Sequence, residues 1–516
     1  MAKRFHTVLG PIVWLAAALA RLEAEPQASL ATQSAPESPS TAGAAREKSS
    51  LPSVGTARLG TERKLAERVS PERAQRHVRK LVELGPRMGG TRSGDEAAAW
   101  SAEVLRAAGL DVRVVEDPEK DAYQPLAWKA VATNAASGER FELGRAWPWT
   151  GSPDGSGTLE LTLESRAGAA WLTDKLARGP SNAALVLVDG AVNIDGEHPV
   201  VGSLRGRATQ PCLGLARTEG AKLREWLAAG ARVEIEFEVR GEARRAKPKT
   251  VVARLRSRAA DAPKPDEWSR DHVLFCAHGD SDSGGPGAND NASGVATLIE
   301  IASAWQAALD AGEFPAPPCE IRFAIWGSEI FSTQEHLAKR IPSEGECLGV
   351  LNYDQAGFGS GADQLNLEPD DLPANVALIA QLLAVLRDHA PETAEKPGLF
   401  PAHWATNRSL GGTDSYVFSK SEYFRTKLRP SVTVFASAWG APAEHRRTAD
   451  MPGESWRERD KVSVDYDAYY HSSGDTPANT TDKEPWNMAW CSRVGMLGAA
   501  RYVEALAAAK PKVEAK

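Results

Sequence analysis

The chain is poor in cysteine. Five Cys in 516 residues are too few for a disulfide-built scaffold, and the odd number leaves at least one thiol without an intrachain partner. None of them forms a C-x-x-C pair, which removes zinc-finger and thioredoxin-type motifs. A basic excess is missing too. With 61 Lys+Arg against 68 Asp+Glu the net charge is −7, so the composition carries no bulk electrostatic footprint for nucleic acid. Beyond the first twenty residues no apolar run approaches 18 residues, so no membrane span is expected there. G-x-S-x-G, Walker A and EF-hand patterns and internal repeats are absent as well. What is there is globular: 42% hydrophobic and 25% charged residues, in a length that suits two or three domains.

The first residues read as an address. Lys3 and Arg4 precede an apolar run from Val8 to Ala20 that ends in the small-x-small pattern Ala18-Leu19-Ala20. That is the anatomy of a secretory signal peptide, and the run is too short to span a bilayer comfortably. Residues 1–24 are thus expected to be a signal segment, the protein exported (periplasmic or secreted), and no stable membrane span to remain after cleavage. Residues 25–62 are rich in Ala, Ser, Pro, Thr and Gln with few large apolar side chains, and read as a disordered spacer.

From there helices and strands alternate. Ser70-Pro71-Glu72 is a helix start with Ser as N-cap and Pro in the first turn. Ala74, Val78, Leu81 and Leu84 then share one face, and Gly85-Pro86 stops the helix. After residue 248, apolar strands at Thr250–Leu255, Val273–Ala277, Ile321–Trp326, Leu348–Tyr353 and Val432–Phe435 alternate with helices at Gly294–Ala308, Asn375–His389 and Met488–Ala507. This is the pattern of an α/β fold, a mostly parallel central sheet covered by helices on both faces. Between residues 121 and 247 the texture becomes β-rich. Ala184–Val188 followed by Asp189-Gly190, then Pro211–Leu215, a helix at Thr218–Ala229 and the alternating strand Val233–Val239 resemble a protease-associated domain. Such a domain serves as a lid or shapes substrate access. The expected organisation is therefore one domain formed by 63–120 and 248–510, interrupted by an insertion at 121–247.

Ligands of such sheets bind at the carboxyl ends of the strands, and the polar residues gather there. Val273–Ala277 leads into His278-Gly279-Asp280. A glycine-rich loop, Gly284 to Gly294, carries Asp290 just ahead of a helix. Ile321–Trp326 leads to Glu329 and Leu348–Tyr353 to Asp354. Later, Tyr470-His471-Ser472-Ser473-Gly474-Asp475-Thr476 supplies a second His. Two imidazoles and three carboxylates suit a divalent metal such as zinc. In His-x-Asp, the Asp280 carboxylate can accept the second ring N–H of His278 and fix its tautomer.

These residues resemble the co-catalytic zinc aminopeptidases and glutamate carboxypeptidases, whose non-enzymatic relative is the transferrin receptor. The family pattern is H-x-D, P-G-A-x-D-[DN]-A-S-G, a strand ending E-E, a strand ending D, and Y-H-T-x-x-D. Here Pro286–Gly294 reads PGANDNASG, Asn352-Tyr353-Asp354 matches "nlD", Gly412-Thr413-Asp414 matches "gsDh" with Ser415 in place of His, and Leu84-Gly85-Pro86-Arg87 matches "lGpR". The resemblance implies a zinc exopeptidase fold with one or two zinc ions and peptide substrates. It also implies that His278 and Asp354 bind one ion, His471 the other, that Asp290 bridges them, and that Asp280 orients His278. A general base would take a proton from water, the resulting hydroxide would attack the peptide carbonyl, and the base would protonate the leaving amine.

One departure matters. Where the family has W-x-A-E-E, this chain reads Trp326-Gly327-Ser328-Glu329-Ile330. Alignment on Phe323 and Trp326 puts Glu329 at the general-base position and Ile330 where the second ion's carboxylate belongs. Three readings stay open: Glu329 is the base and the second ion is held by Asp290 and His471; the register slips and Glu329 is the ligand; or the site is inactive and the fold binds rather than cleaves. Glu335 is a weak candidate for a substitute ligand. Asp414 with Ser415, the loop residues His403, Trp404 and His445, and Tyr470 as an oxyanion donor are further candidates. The leading functional reading is an exported zinc aminopeptidase with Glu329 as base. A receptor-like metal binder is the alternative, and glutaminyl cyclisation the second. Side-chain preference, the choice between aminopeptidase, dipeptidase and carboxypeptidase, and oligomeric state carry no readable motif.

Overall fold

The computed structural model describes residues 54–509, except 176–181, 191–195, 205–208, 257–267, 269, 282, 340–344, 359–363, 390–397, 407–412, 420–427, 437–466 and 468. The expected signal segment, most of the spacer, and His445 lie outside the described residues.

The chain opens with three helices, α1 (Thr56–Glu67), α2 (Pro71–Glu83) and α3 (Arg92–Ala107). The Ser70 side chain accepts from Arg73 N–H and Thr91 from Gly94 N–H, so both later helices begin on a side-chain cap. Helix α1 corrects the expected spacer, which was carried to residue 62. The segment has little apolar surface, but Glu62 points inward, fully buried, and binds Arg501, His389 and Arg58. A polar anchor holds this helix, next to the two buried apolar residues Leu65 and Ala66.

The first sheet has the order β1-β10-β12-β11-β13-β16-β14-β15. Its strands are β1 (Asp111–Glu116), β10 (Lys249–Arg254), β11 (His272–His278), β12 (Glu320–Trp326), β13 (Cys347–Asn352), β14 (Gln364–Glu368), β15 (His403–Thr406) and β16 (Ser431–Phe435). The centre, β12-β11-β13-β16, is parallel. The β1, β10 flank and the β14–β16 pair are antiparallel. Val273, Phe275 and Ala277 of β11 face the larger core, together with α5 (Gly294–Ala311), α7 (Val376–His389) and α9 (Trp486–Ala509). Leu274 and Cys276 face the other side, against Val417 and Phe418 of α8 (Asp414–Ser419). Burial on both faces explains why β11 reads as one continuous apolar run. His403 and Trp404, expected in a rim loop, instead form the edge strand β15, paired in parallel with β14, and Trp404 is buried.

All strands of the second sheet lie between Lys120 and Ala246. They are β2 (Lys120–Asn134), β3 (Arg140–Glu142), β4 (Trp147–Pro148), β5 (Gly155–Thr162), β6 (Ala170–Thr173), β7 (Leu185–Val188), β8 (Cys212–Gly214) and β9 (Val233–Ala246), in the order β3-β2-β9-β5-β6-β7-β8-β4. Helix α4 (Arg217–Ala228) covers it, with Leu223 and Trp226 buried against Ile235 and Val239. Between Phe331 and Lys339 runs α6. Among the described residues no helix is long and apolar enough to cross a membrane, and the five cysteines are free thiols.

Candidate metal centre

The parallel neighbours β12, β11 and β13 end side by side, and each delivers one acidic or imidazole group at or just beyond its last residue: Glu329, His278 and Asp354. One ligand atom from each lies within 4.8 Å of the others. His278 is 1% exposed, so its two nitrogens are committed. Nδ1 sits 3.1 Å from Asp280 Oδ1 and 3.0 Å from the Asp280 carbonyl. Nε2 faces two carboxylates, Asp290 at 3.4 Å and Asp354 at 3.5 Å. Asp290 uses its other oxygen toward His471, at 3.1 Å from Nε2. The six residues singled out in the sequence (His278, Asp280, Asp290, Glu329, Asp354 and His471) therefore converge, with Asp290 between the two imidazoles.

The fit to a metal ion is read from what these groups lack. Asp354 Oδ2 accepts from Thr413 Oγ1 at 2.8 Å, but buried Oδ1 accepts no hydrogen bond among the described residues. Among the described residues, carboxylates outnumber the cations around them. Burial pushes the Asp475 carboxyl up to about 8, helped by Asp467, and raises Asp467 to about 6. Burial would lower His278, yet Asp354, Glu329 and Asp280 raise it well above the ordinary imidazole value. A divalent cation would neutralise this surplus, and the mixed imidazole and carboxylate donors suit zinc.

The supports are as specific as the ligating groups. Asp475 accepts from the backbone N–H of Asn289 at 2.8 Å and of Asp290 at 2.9 Å, which fixes the loop that carries Asp290. Asp467 accepts from Asn289 Nδ2 at 2.7 Å. Gly287 has φ +59, and a Cβ there would lie 2.5 Å from the Asp290 carbonyl, so the turn needs glycine. Arg87 is 1% exposed and donates to the carbonyls of Gly279 (3.2 Å), Pro286 (3.0 Å) and Gly287 (2.6 Å), which joins the two ends of the loop between His278 and Asp290. The Arg87→Met variant is expected to lose about 3 kcal/mol or more, since the buried carbonyls of Leu81 and Gly287 and the partly buried ones of Gly279 and Pro286 lose their donor. Urea unfolding measures this.

Glu329 and Ile330 occupy a strained turn. Asp280 accepts from Glu329 N–H at 3.1 Å. Asp414, fully buried at the start of α8, accepts from Ile330 N–H at 2.7 Å and from the Thr333 hydroxyl. Burial pushes the Asp414 carboxyl up to about 7. Ile330 has φ +55, a region a β-branched residue rarely adopts, and its side chain packs beside Leu274, Trp326 and Phe418. The non-glycine residues of positive φ are Ile330, Gln355 and His471, among those described: one after Glu329, one after Asp354, and the second imidazole itself.

Other candidates fare differently. Ser415 is buried and accepts from Thr433 Oγ1 at 2.8 Å, away from the imidazoles. Tyr470 stacks on the His471 ring with centroids 3.8 Å apart. Glu335 lies on α6, outside the His278, Glu329, Asp354 group. Asp467 and the clamp role of Arg87 escaped the sequence. Asp467 carries no motif, and the carbonyls that Arg87 binds lie some two hundred positions away.

The sequence profile of Peptidase family M28 matches residues 251–496. A probable lipoprotein aminopeptidase, LpqL, of Mycobacterium tuberculosis (strain ATCC 25618 / H37Rv) is 28% identical over 301 residues, 52% of this chain and 54% of the relative, so the match spans about half that protein's length. Two solved structures share the fold. The Peptidase M28 precursor from Shewanella amazonensis SB2B has a TM-score of 0.55 at 17% identity, covering 86% of this chain and 96% of that one. BSAP, a zinc aminopeptidase from Bacillus subtilis, has a TM-score of 0.53 at 16% identity, covering 84% and 95%. The matched segment, residues 251–496, contains all six converging residues and is similar to Peptidase family M28.

Proposed function

We propose that this chain is a zinc-dependent exopeptidase that removes residues from peptide amino termini. The observation that carries the proposal is the convergence of His278, Glu329 and Asp354 within 4.8 Å, with Asp290 set between His278 and His471. His278 and Asp354 would hold one ion, His471 the other, and Asp290 would be shared. Bound zinc supplies Lewis-acid polarisation of the peptide carbonyl and acidifies water near pH 7.

The chain's own residues do the rest. Asp280 accepts the Nδ1 proton of His278, so Nε2 is left as the ligating nitrogen. The same carboxylate accepts Glu329 N–H and so sets where the Glu329 side chain starts. Glu329 takes a proton from the attacking water and returns it to the leaving amine. A free substrate α-amine would bind near the weaker, His471 half of the site and one of its acidic groups, which is what favours a free amino terminus over an internal bond. With Ile330 turned into the apolar cluster, the His471 side of the site has one carboxylate fewer and is the weaker half. We also read residues 1–24 as an export signal, and 121–247 as an inserted domain of the protease-associated kind. Supporting the insertion is the confinement of the whole second sheet to Lys120–Ala246.

The test is metal content per purified chain with hydrolysis of a panel of aminoacyl-nitroanilides, before and after chelation. Turnover should fall at least about 100-fold on chelation and return with added Zn²⁺. Turnover indifferent to chelation would overturn the metal mechanism. Bound metal with no hydrolysis of any substrate would instead favour the binding role to which Ile330 points.

A further inference from the structure

We propose that the segment Pro199–Val201, carried by the second-sheet region, is a positioning element for His471 and sets how tightly the His471–Asp290 half of the site holds its ion. The inference rests on the metal-centre reading above.

His471 differs from the other candidate ligands in how it is held. His278, Glu329 and Asp354 follow strands of the core sheet, whose ladders fix the backbone. His471 lies in a loop, at φ +49, with no strand leading into it among the described residues. A side chain in that conformation keeps its place only if its surroundings impose it. Bonds within the loop supply part of them, such as Ser472 N–H to the Tyr469 carbonyl at 3.0 Å, and the insertion supplies others. Val201 N–H donates to the His471 carbonyl at 2.7 Å, and Ser473 N–H donates to the Pro199 carbonyl at 3.0 Å. Val200 and Ser472 face each other in an antiparallel bridge. Residues 471–473 are thus paired with 199–201 as one short rung of sheet.

That segment is itself braced. Thr150 N–H donates to the Gly202 carbonyl at 2.9 Å, and Leu204 N–H to the Thr150 carbonyl at 2.8 Å. Trp149 packs so closely on Gly202 that a Cβ there would lie 2.1 Å from its ring. The brace also reaches the loop before Asp290: Thr150 Oγ1 donates to the Ser283 carbonyl at 2.7 Å and Trp147 Nε1 to the Gly284 carbonyl at 3.3 Å. One piece of the insertion therefore grips both loops of the weaker half, while the His278–Asp354 half rests on the core. Groups that orient a metal ligand are typically worth about 10–100-fold in affinity. Here the orienting groups are backbone amides of the insertion, which makes it a fixed wall of the site.

The test is titration of the chelated, full-length chain with Zn²⁺ by calorimetry and with Co²⁺ by visible absorption, on wild type, Val201→Pro and Gly202→Ala. Proline removes the N–H that binds His471; alanine displaces the segment against Trp149 and removes no hydrogen bond, so it serves if the proline variant fails to fold. Val201→Ala keeps the N–H and is the control. Wild type should bind in two steps. The variants should weaken the second step by about 10–100-fold, leave the first within about twofold, and the control should match wild type. Equal weakening of both steps, or no change in either, would overturn the inference and leave the metal-centre reading standing. So would a single wild-type step that His471→Ala leaves unmoved. Absence of any binding by wild type would remove the metal-centre reading itself.

Discussion

Glu329→Gln is expected to lower turnover by about 10²–10⁴-fold, the range for loss of a general base, with metal content unchanged. The amide keeps the size of the side chain and both hydrogen bonds between its backbone N–H and Asp280. It removes only the group that can carry a proton. The measurement is kcat with metal stoichiometry on the same preparation. If Glu329 were instead a ligand of the ion beside His278 and Asp354, the variant would lose metal along with turnover, and added Zn²⁺ would recover part of the activity. Retained metal with retained turnover would remove Glu329 from the chemistry altogether. The backbone already separates the two neighbours: Glu329 stays with His278 and Asp354, while Ile330 packs beside Trp326 and Phe418.

Glu62→Ala should destabilise the fold by about 3–5 kcal/mol. Glu62 is fully buried and receives Arg501 Nη2 at 2.6 Å, Arg501 Nε at 2.9 Å, His389 Nε2 at 2.9 Å and Arg58 Nε at 2.8 Å. Truncation leaves the buried Arg501 with Asp388, at 2.7 Å from Nη1, in place of two carboxylates, and α1 loses its polar link to α7 and α9. Burial alone would raise the Glu62 carboxyl, but hydrogen bonds from His389, Arg501 and Arg58 bring it from 4.5 down to about 2. The folded value is the depressed one. Its stabilisation is therefore complete above pH 4.5 and lost as the pH falls toward 2, an amount of about 3 kcal/mol. Urea unfolding of wild type and Glu62→Gln should show a stability gap that narrows across that window. A gap that stays constant with pH would mean that the carboxylate charge contributes nothing.

The core was legible in the sequence because its physics is local. Continuous apolar runs such as Val273–Ala277 announce buried strands, and Ser70 and Pro71 announce a helix start. The candidate site was legible because PGANDNASG and its partners crowd the strand ends. What escaped depends on contacts far apart in sequence. Helix α1 hangs on Glu62 and Arg501, which no window of composition joins. Asp467 supports Asn289 from a segment without a motif. The conformation of Ile330 is imposed by Asp414, 84 positions on. His403 and Trp404 lack the length and alternation of a strand, and become one only because β14 offers an edge.

The long β2–β9 ladder has a kinetic consequence. Pairing runs unbroken in direction from Lys120↔Ala246 to Asn134↔Val233, with one register shift near Pro125. It brings together the two points where the chain leaves and rejoins the first sheet, next to the β1–β10 pair Glu116↔Lys249. Without it, closing β1 onto β10 would mean a search by the ends of a loop more than a hundred residues long, with the entropy and slowness of a distant contact. Once the ladder has zipped, the same closure is that of a hairpin. The excursion of the chain into a second sheet thus leaves the contact order felt by the first-sheet core close to what it would be with no excursion, provided that the ladder forms first.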